Sequence, residues 1–172
     1  MNQNTNNIDS YIVSSIKAFF TFAICALFIA VIFLFCRDAL AGSQDWLDQC
    51  APYKKQVTEI LVDNGMSEDF YYLMVAESHC REEAVSVKGA KGFWQLMPAT
   101  SRHYGCNNPD DLECATRAAA KYLAHLSVSF KTFDEIIAAY NMGGHNFHQK
   151  GHTQQSIGLI KRVHELRRLD SD

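Results

Sequence analysis

One carboxylate stands where a helix should be apolar. After Ser67 the residues Phe70, Leu73 and Met74 recur at helical spacing, and the next position on that stripe is Glu77. A charged carboxylate on a buried stripe is costly unless it is paired, protonated or put to use. An acid that apolar surroundings keep protonated can donate a proton to a glycosidic oxygen, so the position suits that chemistry. Periodicity alone does not separate a working acid from a core Glu paired to an Arg or Lys.

Other residue types capable of chemistry weigh less. Glu82 and Glu83 are nearby acids, expected as a solvated turn. His145, His148 and His152 form an H-x-x-H-x-x-x-H cluster, flanked by Gly143, Gly144 and Gly151. A metal would need them to converge with a fourth ligand, and a mobile, solvated loop without metal is the expectation. His79 and His103 stand alone and are expected at the surface or hydrogen-bonded. The basic residues Lys161, Arg162, Arg167 and Arg168 are expected as a solvated C-terminal face.

The elements that must position Glu77 follow from pattern. Trp46, Cys50, Tyr53, Val57, Ile60 and Leu61 repeat with helical period, ending near Gly65. Ser67 is suited to cap the helix bearing Glu77, with Glu68 and Asp69 in its first turn. From Arg81 to Lys91 periodicity fades, and Gly89 and Gly92 bracket a turn with a few extended residues around 84–87. Pro98 opens a short helix ending at Tyr104 and Gly105. After the turn Asn107-Asn108-Pro109, Asp110 or Asp111 can cap a helix over about 112–130, with Ala119, Tyr122, Leu123 and Leu126 on one face. Thr132 and Glu135 have capping-box spacing and open a helix with Phe133, Ile136, Ile137 and Tyr140 on its apolar face. Leu159, Ile160, Val163 and Leu166 mark a last amphipathic helix. No repeat and no convincing strand run is present, so the fold is expected to be mainly α.

The chain has 172 residues, 48% of them hydrophobic and 20% charged, enough for one domain with a core. A net charge of −3 gives no electrostatic case for nucleic acid. Residues 1–17 are polar. Ala18 to Cys36 carry no formal charge, long enough to cross a bilayer, and Ala39-Leu40-Ala41 has the A-x-A form of a signal-peptide cleavage site. The sequence thus divides into a polar segment 1–17, a signal peptide or inner-membrane anchor 18–41, and a domain 42–172. Four cysteines, Cys50, Cys80, Cys106 and Cys114, fall in that domain. An even count behind a secretory segment suggests two disulfides, with Cys50–Cys80 and Cys106–Cys114 the expected pairing of three.

Three ordered blocks carry a resemblance. Glu77-Ser78, then Gly89 to Thr100 (GAKGFWQLMPAT), then Ala138-Ala139-Tyr140-Asn141-Met142-Gly143 resemble the soluble lytic transglycosylase family. The likeness covers about residues 45–165. It implies a single lysozyme-like, goose-type helical domain behind the N-terminal apolar helix. It implies that Glu77 is the one catalytic acid and base, that Ser78 stands beside it, and that Gln95 lines the sugar cleft. Tyr140 would face the acid across the cleft, with Asn141 next to it. The implied reaction cleaves the MurNAc-GlcNAc β-1,4 bond of peptidoglycan, the muramoyl C6 hydroxyl attacking to leave a 1,6-anhydro end, with no cofactor. Most glycosidases use two carboxylates; here the substrate's N-acetyl group would replace the second.

The resemblance also implies a periplasmic, exported monomer acting on glycan strands, with secretion, pilus or conjugation machinery as partner. A hydrolytic muramidase, or a non-catalytic peptidoglycan-binding subunit of such a machine, is the alternative. Phe93-Trp94 replaces the family's smaller pair, so a bulkier cleft floor is expected. Ser-His-Cys follows Glu77, with Cys80 in place of a bulky apolar residue. Met142-Gly143-Gly144 lacks the family's frequent proline.

Overall fold

The computed structural model describes residues 42–171 and, apart from them, Ile29. By backbone contacts the chain divides into Met1–Gly42 and Ser43–Asp172, and the second of these holds the expected domain. The polar segment 1–17 and the apolar segment 18–41 lie outside the described residues, Ile29 excepted. Among the described residues no helix is long and apolar enough to cross a membrane.

The domain is helical. Residues 42–63 form α1, ended by a turn in which Gly65 takes a left-handed φ of 75°. Ser67 accepts from the Asp69 amide at 3.2 Å and caps a single 3-10 turn, Glu68–Phe70, which runs directly into α2, Tyr71–Ser78. α3 is Pro98–His103, with proline in its first turn as expected. α4, Leu112–Ser129, is capped by Asp111, which accepts from the Cys114 amide at 2.7 Å. α5, Phe133–Met142, opens with the expected Thr132/Glu135 capping box. α6, Gly144–Lys150, follows at once. α7, Gln154–Leu169, buries Leu159, Ile160, Val163 and Leu166.

One stretch departs from expectation. Most of the histidine-rich segment expected as a loop, including His145 and His148, is the short helix α6, and His152 follows it in a non-helical link. Phe147 anchors it, buried and packed on Phe130 with ring centroids 5.1 Å apart. A seven-residue helix with one anchor carries too few apolar positions to show a period. Among the described residues no group of three His, Cys, Asp or Glu side chains is placed to hold a metal.

α2 is the hub. Seven of its eight residues are buried, so it is apolar on nearly every side, as befits a helix enclosed by others. α7 packs on both α2 and α5, while α4 and α6 pack on α5 and α3 on α4. α1 is tied on by the Cys50–Cys80 disulfide, with Cα atoms 5.5 Å apart. Its Lys54 pairs with Asp170 at 2.6 Å, and Asp170 also accepts from the Tyr72 hydroxyl at 2.8 Å. The second expected disulfide, Cys106–Cys114, joins the start of α4 to the preceding turn, with Cα atoms 5.3 Å apart.

Candidate active site

Glu77 is the one residue of α2 that is not buried. It comes at the C-terminal end of the helix, where the chain breaks sharply. His79 and Cys80 both take left-handed conformations, φ 53° and 56°, a strained pair for residues with side chains. Two features hold the break. Cys80 is bonded to Cys50, and the His79 ring stacks on Trp46 at 3.8 Å and 9°. α2 therefore ends abruptly, and Glu77 projects at its rim.

The rim opens on a cavity of about 470 Å³, lined among others by Glu77, Gln95, Met97, Tyr122, Tyr140 and Asn141. A smaller lobe of about 340 Å³ adjoins it. Glu77, Asn141 and Gln155 belong to both, so the acid stands on the wall between them. Among the residues lining either lobe, Glu77 is the sole carboxylate. Glu82 and Glu83 lie exposed, away from both lobes.

Desolvation dominates the electrostatics of Glu77. It pushes the carboxyl up to about 7, against the opposing effects of hydrogen bonding from the Asn141 side chain and the positive charge of Arg162. At neutral pH such a group populates both its protonated and its ionised form. Asn141 has a second feature: its Oδ1 is buried without a hydrogen-bond partner. An unsatisfied acceptor at a cavity wall is available to a ligand donor.

The wall opposite α7 is the loop over 84–97. Two isolated antiparallel bridges, Val85 with Lys91 and Lys91 with Leu96, hold it in place of a sheet. Gly92 has φ 72°, and a Cβ there would lie 1.9 Å from the Pro109 carbonyl oxygen, so the loop closes on the turn before α4 only through a glycine. Gln95 also takes a left-handed φ, 48°. Its Nε2 donates to the carbonyls of Ala84 and Gly92, both at 2.9 Å, pinning the loop's two sides together. Gln95 thus lines the cavity while its amide nitrogen is engaged in the loop.

Tyr140, at the end of α5, is buried and donates its hydroxyl to the Trp94 carbonyl at 2.7 Å. Burial first, then the charge of Glu77, hold the phenol well above its ordinary range, so it stays protonated. Trp94 is itself fully buried and donates Nε1 to Thr116 of α4 at 2.9 Å. Phe93 and Trp94 therefore enter the core, and neither lines the cavity. The bulkier floor expected from this pair is not formed, because both rings turn inward and leave the following residues, Gln95, Leu96 and Met97, to line the cleft.

Four of the five site residues singled out by sequence, Glu77, Gln95, Tyr140 and Asn141, meet at this cleft. Ser78 does not. It is fully buried, with its hydroxyl 3.4 Å from the Met74 carbonyl. Sequence reasoning also passed over residues that are here. Tyr122, grouped with the α4 core face, is half-buried on the cavity wall, 5.3 Å from Tyr140. Arg162 is exposed, as expected of a solvated basic face, but it also stands by Glu77 and donates to the carbonyl of Ala76 at 3.4 Å. Nothing in its sequence neighbourhood separates it from Lys161 or Arg167.

Comparison with known proteins agrees with this geometry. A family model described as Transglycosylase SLT domain matches residues 60–161, which hold Glu77, the glycine loop and the end of α5. The chain is 31% identical over 102 residues to the membrane-bound lytic murein transglycosylase D of Escherichia coli strain K12, and equally to that of strain O6:H1. The match takes in 54% of this chain but only 22% of either relative. The matched family region carries the α2 acid and the loop that faces it, and on that match this chain belongs to the transglycosylase SLT domain family.

Proposed function

We propose that the protein is a peptidoglycan lytic transglycosylase with Glu77 as its only catalytic acid and base. The observation that carries this reading is a lone carboxylate, held near pH 7 by desolvation, on the wall between the lobes of the cleft. A protonated Glu77 donates to the glycosidic oxygen as the bond to the muramoyl anomeric carbon breaks. The muramoyl N-acetyl carbonyl stabilises that carbon in place of a second carboxylate. The ionised Glu77 then takes the proton of the C6 hydroxyl, whose oxygen closes on the anomeric carbon to leave a 1,6-anhydro end. Proton and bonds balance without water.

Tyr140 and Gln95 act mainly by holding the loop and the acid in register, through the bonds to Trp94, Ala84 and Gly92. The unpartnered Asn141 oxygen is the substrate acceptor in this reading, a fit for an N-acetyl N–H. Ser78 supports Glu77 from within the helix and does not touch substrate. Murein, the polymer for which the E. coli relatives are named, is the substrate carried over to this chain. Two disulfides favour an oxidising compartment, consistent with export to the periplasm. N-terminal sequencing of the exported protein distinguishes cleavage after Ala41 from retention of an anchor. Local wall opening for a secretion, pilus or conjugation machine is the setting that the family resemblance alone supports.

The test is release of soluble muropeptides from purified sacculi by wild type and Glu77→Gln. Wild type releases anhydro-ended products, and the variant loses release by about a thousandfold or more, as expected when the only acid is removed. A folded wild type that releases nothing would instead mark a glycan-binding subunit.

A further inference from the structure

The smaller lobe has features that the acid–base chemistry does not use. Gly158 lies in the interior of α7, where glycine is among the poorest helix formers. A Cβ built on it meets nothing within 4 Å, and its φ is helical, so neither packing nor backbone conformation demands glycine there. The missing side chain leaves open space in the lobe, which Gly158 lines.

One helical turn on, at the i+4 position of the same face, is Arg162. Its guanidinium is pre-positioned by the Ala76 carbonyl and by Trp46, whose ring centre lies 6.0 Å away. Trp46 is fixed in turn by its stack on His79. Arg162 takes part in none of the ion pairs found among the described residues. The exposed amides Gln154 and Gln155 complete a polar wall.

We propose that this lobe receives a carboxylate carried on the side branch of the muramoyl sugar, with Arg162 as its recognition group and Gly158 as the space the branch occupies. The inference rests on the reading of the cleft as a peptidoglycan site. The muramoyl branch is a lactyl ether at C3. It is either amide-linked to a peptide stem bearing free carboxylates or, unsubstituted, itself a carboxylate. A planar guanidinium offers a carboxylate two parallel hydrogen bonds. The branch leaves the same sugar whose anomeric bond Glu77 serves, so its place is beside the acid, where the lobe is.

The experiment measures kcat/KM for four soluble glycan substrates: strands with intact stems, the same strands with every carboxylate converted to a methylamide, strands stripped of stems by an amidase, and the stripped strands methylamidated in turn. Wild type favours intact over methylamidated strands by about tenfold, the worth of one charge-assisted contact. Arg162→Gln brings that ratio to about one, and Arg162→Lys leaves it in between. The ratio is internal to each variant, so a general loss caused by a disturbed Glu77 cancels. Gly158→Leu raises the melting temperature through better helix propensity, yet lowers kcat/KM on stem-bearing strands more than on stripped ones. Methylamidation of stripped strands locates the charge. A preference there shows that the lobe also takes the lactyl carboxylate, which the amide bond masks in intact strands, and its absence assigns the stem alone.

Equal cleavage by wild type within both pairs, intact against methylamidated and stripped against methylamidated stripped strands, overturns the inference and leaves the transglycosylase reading standing. So does an Arg162→Gln variant that keeps the tenfold ratio. Absence of any anhydro product from wild type removes the underlying reading, and the inference with it.

Discussion

A carboxyl held at about 7 by burial makes two separate claims about Glu77, one kinetic and one thermodynamic. In the proposed reaction the donor is the protonated form of Glu77, so kcat/KM should fall about tenfold per pH unit above about 7, and a pH–rate profile on soluble glycan checks this. The folded value lies above the unfolded carboxyl range, so between about 4.5 and 7 the folded state holds a proton that the unfolded state has released. Stability from this group is therefore full at pH 4 and lost as pH rises through 7. Glu77→Gln removes that loss. The variant should match wild type at pH 4 and exceed it at pH 8 by on the order of 2 kcal/mol, measured by denaturant unfolding. Tyr140→Phe should cost about 1–3 kcal/mol, because it leaves the buried Trp94 carbonyl without its donor. At this scale the sequence singled out the acid that stands at the cleft, but for an incomplete reason. The Phe70, Leu73, Met74 stripe suggested an amphipathic helix, but Tyr71, Tyr72 and Val75 on its other sides are buried too. What distinguishes Glu77 is that it alone in α2 lines the larger lobe of the cleft, and helical periodicity does not report that.

The element that shapes the cleft is the 84–97 loop, together with the break after α2. Gly92→Ala would drive a methyl group into the Pro109 carbonyl at a left-handed φ. The expected cost is roughly 2–5 kcal/mol, read from the unfolding midpoint, with loss of activity as the loop parts from α4. The disulfides close loops of 30 and 8 residues. Each should contribute about 2–4 kcal/mol by the loop-entropy account. Thiol titration of the unreduced protein should find none of Cys50, Cys80, Cys106 and Cys114 free. Cys50→Ser with Cys80→Ser should lower activity as well as stability, because it frees the strained His79–Cys80 corner beside Glu77. Helix starts were legible because caps are local: Ser67, Asp111 and Thr132 each accept the bond their position calls for. α6 was not legible, since its one buried anchor, Phe147, makes no pattern. The inward turn of Phe93 and Trp94 was hidden too, because it depends on Thr116 and Tyr140, which are distant in sequence.

Across the molecule, the site is a meeting of parts no single stretch contains. The end of α2 brings the acid, α5 brings Tyr140 and Asn141, the glycine loop brings Gln95, and the first two turns of α7 bring Gln155 and Gly158, with Arg162 one turn beyond. Motif order in the chain made the first three recognisable as a set. The contribution of α7 was not, since its residues reach Glu77 only through the packing of α7 on α2. The central claim is that one acid serves the cleft and that the ring closes through the sugar's own hydroxyl rather than by entry of water. Digestion of purified sacculi in heavy-oxygen water, followed by mass spectrometry of the released ends, tests it directly. Closure by the sugar hydroxyl predicts 1,6-anhydromuramoyl ends without heavy oxygen. Reducing ends that carry the label would contradict it and make the protein a hydrolase.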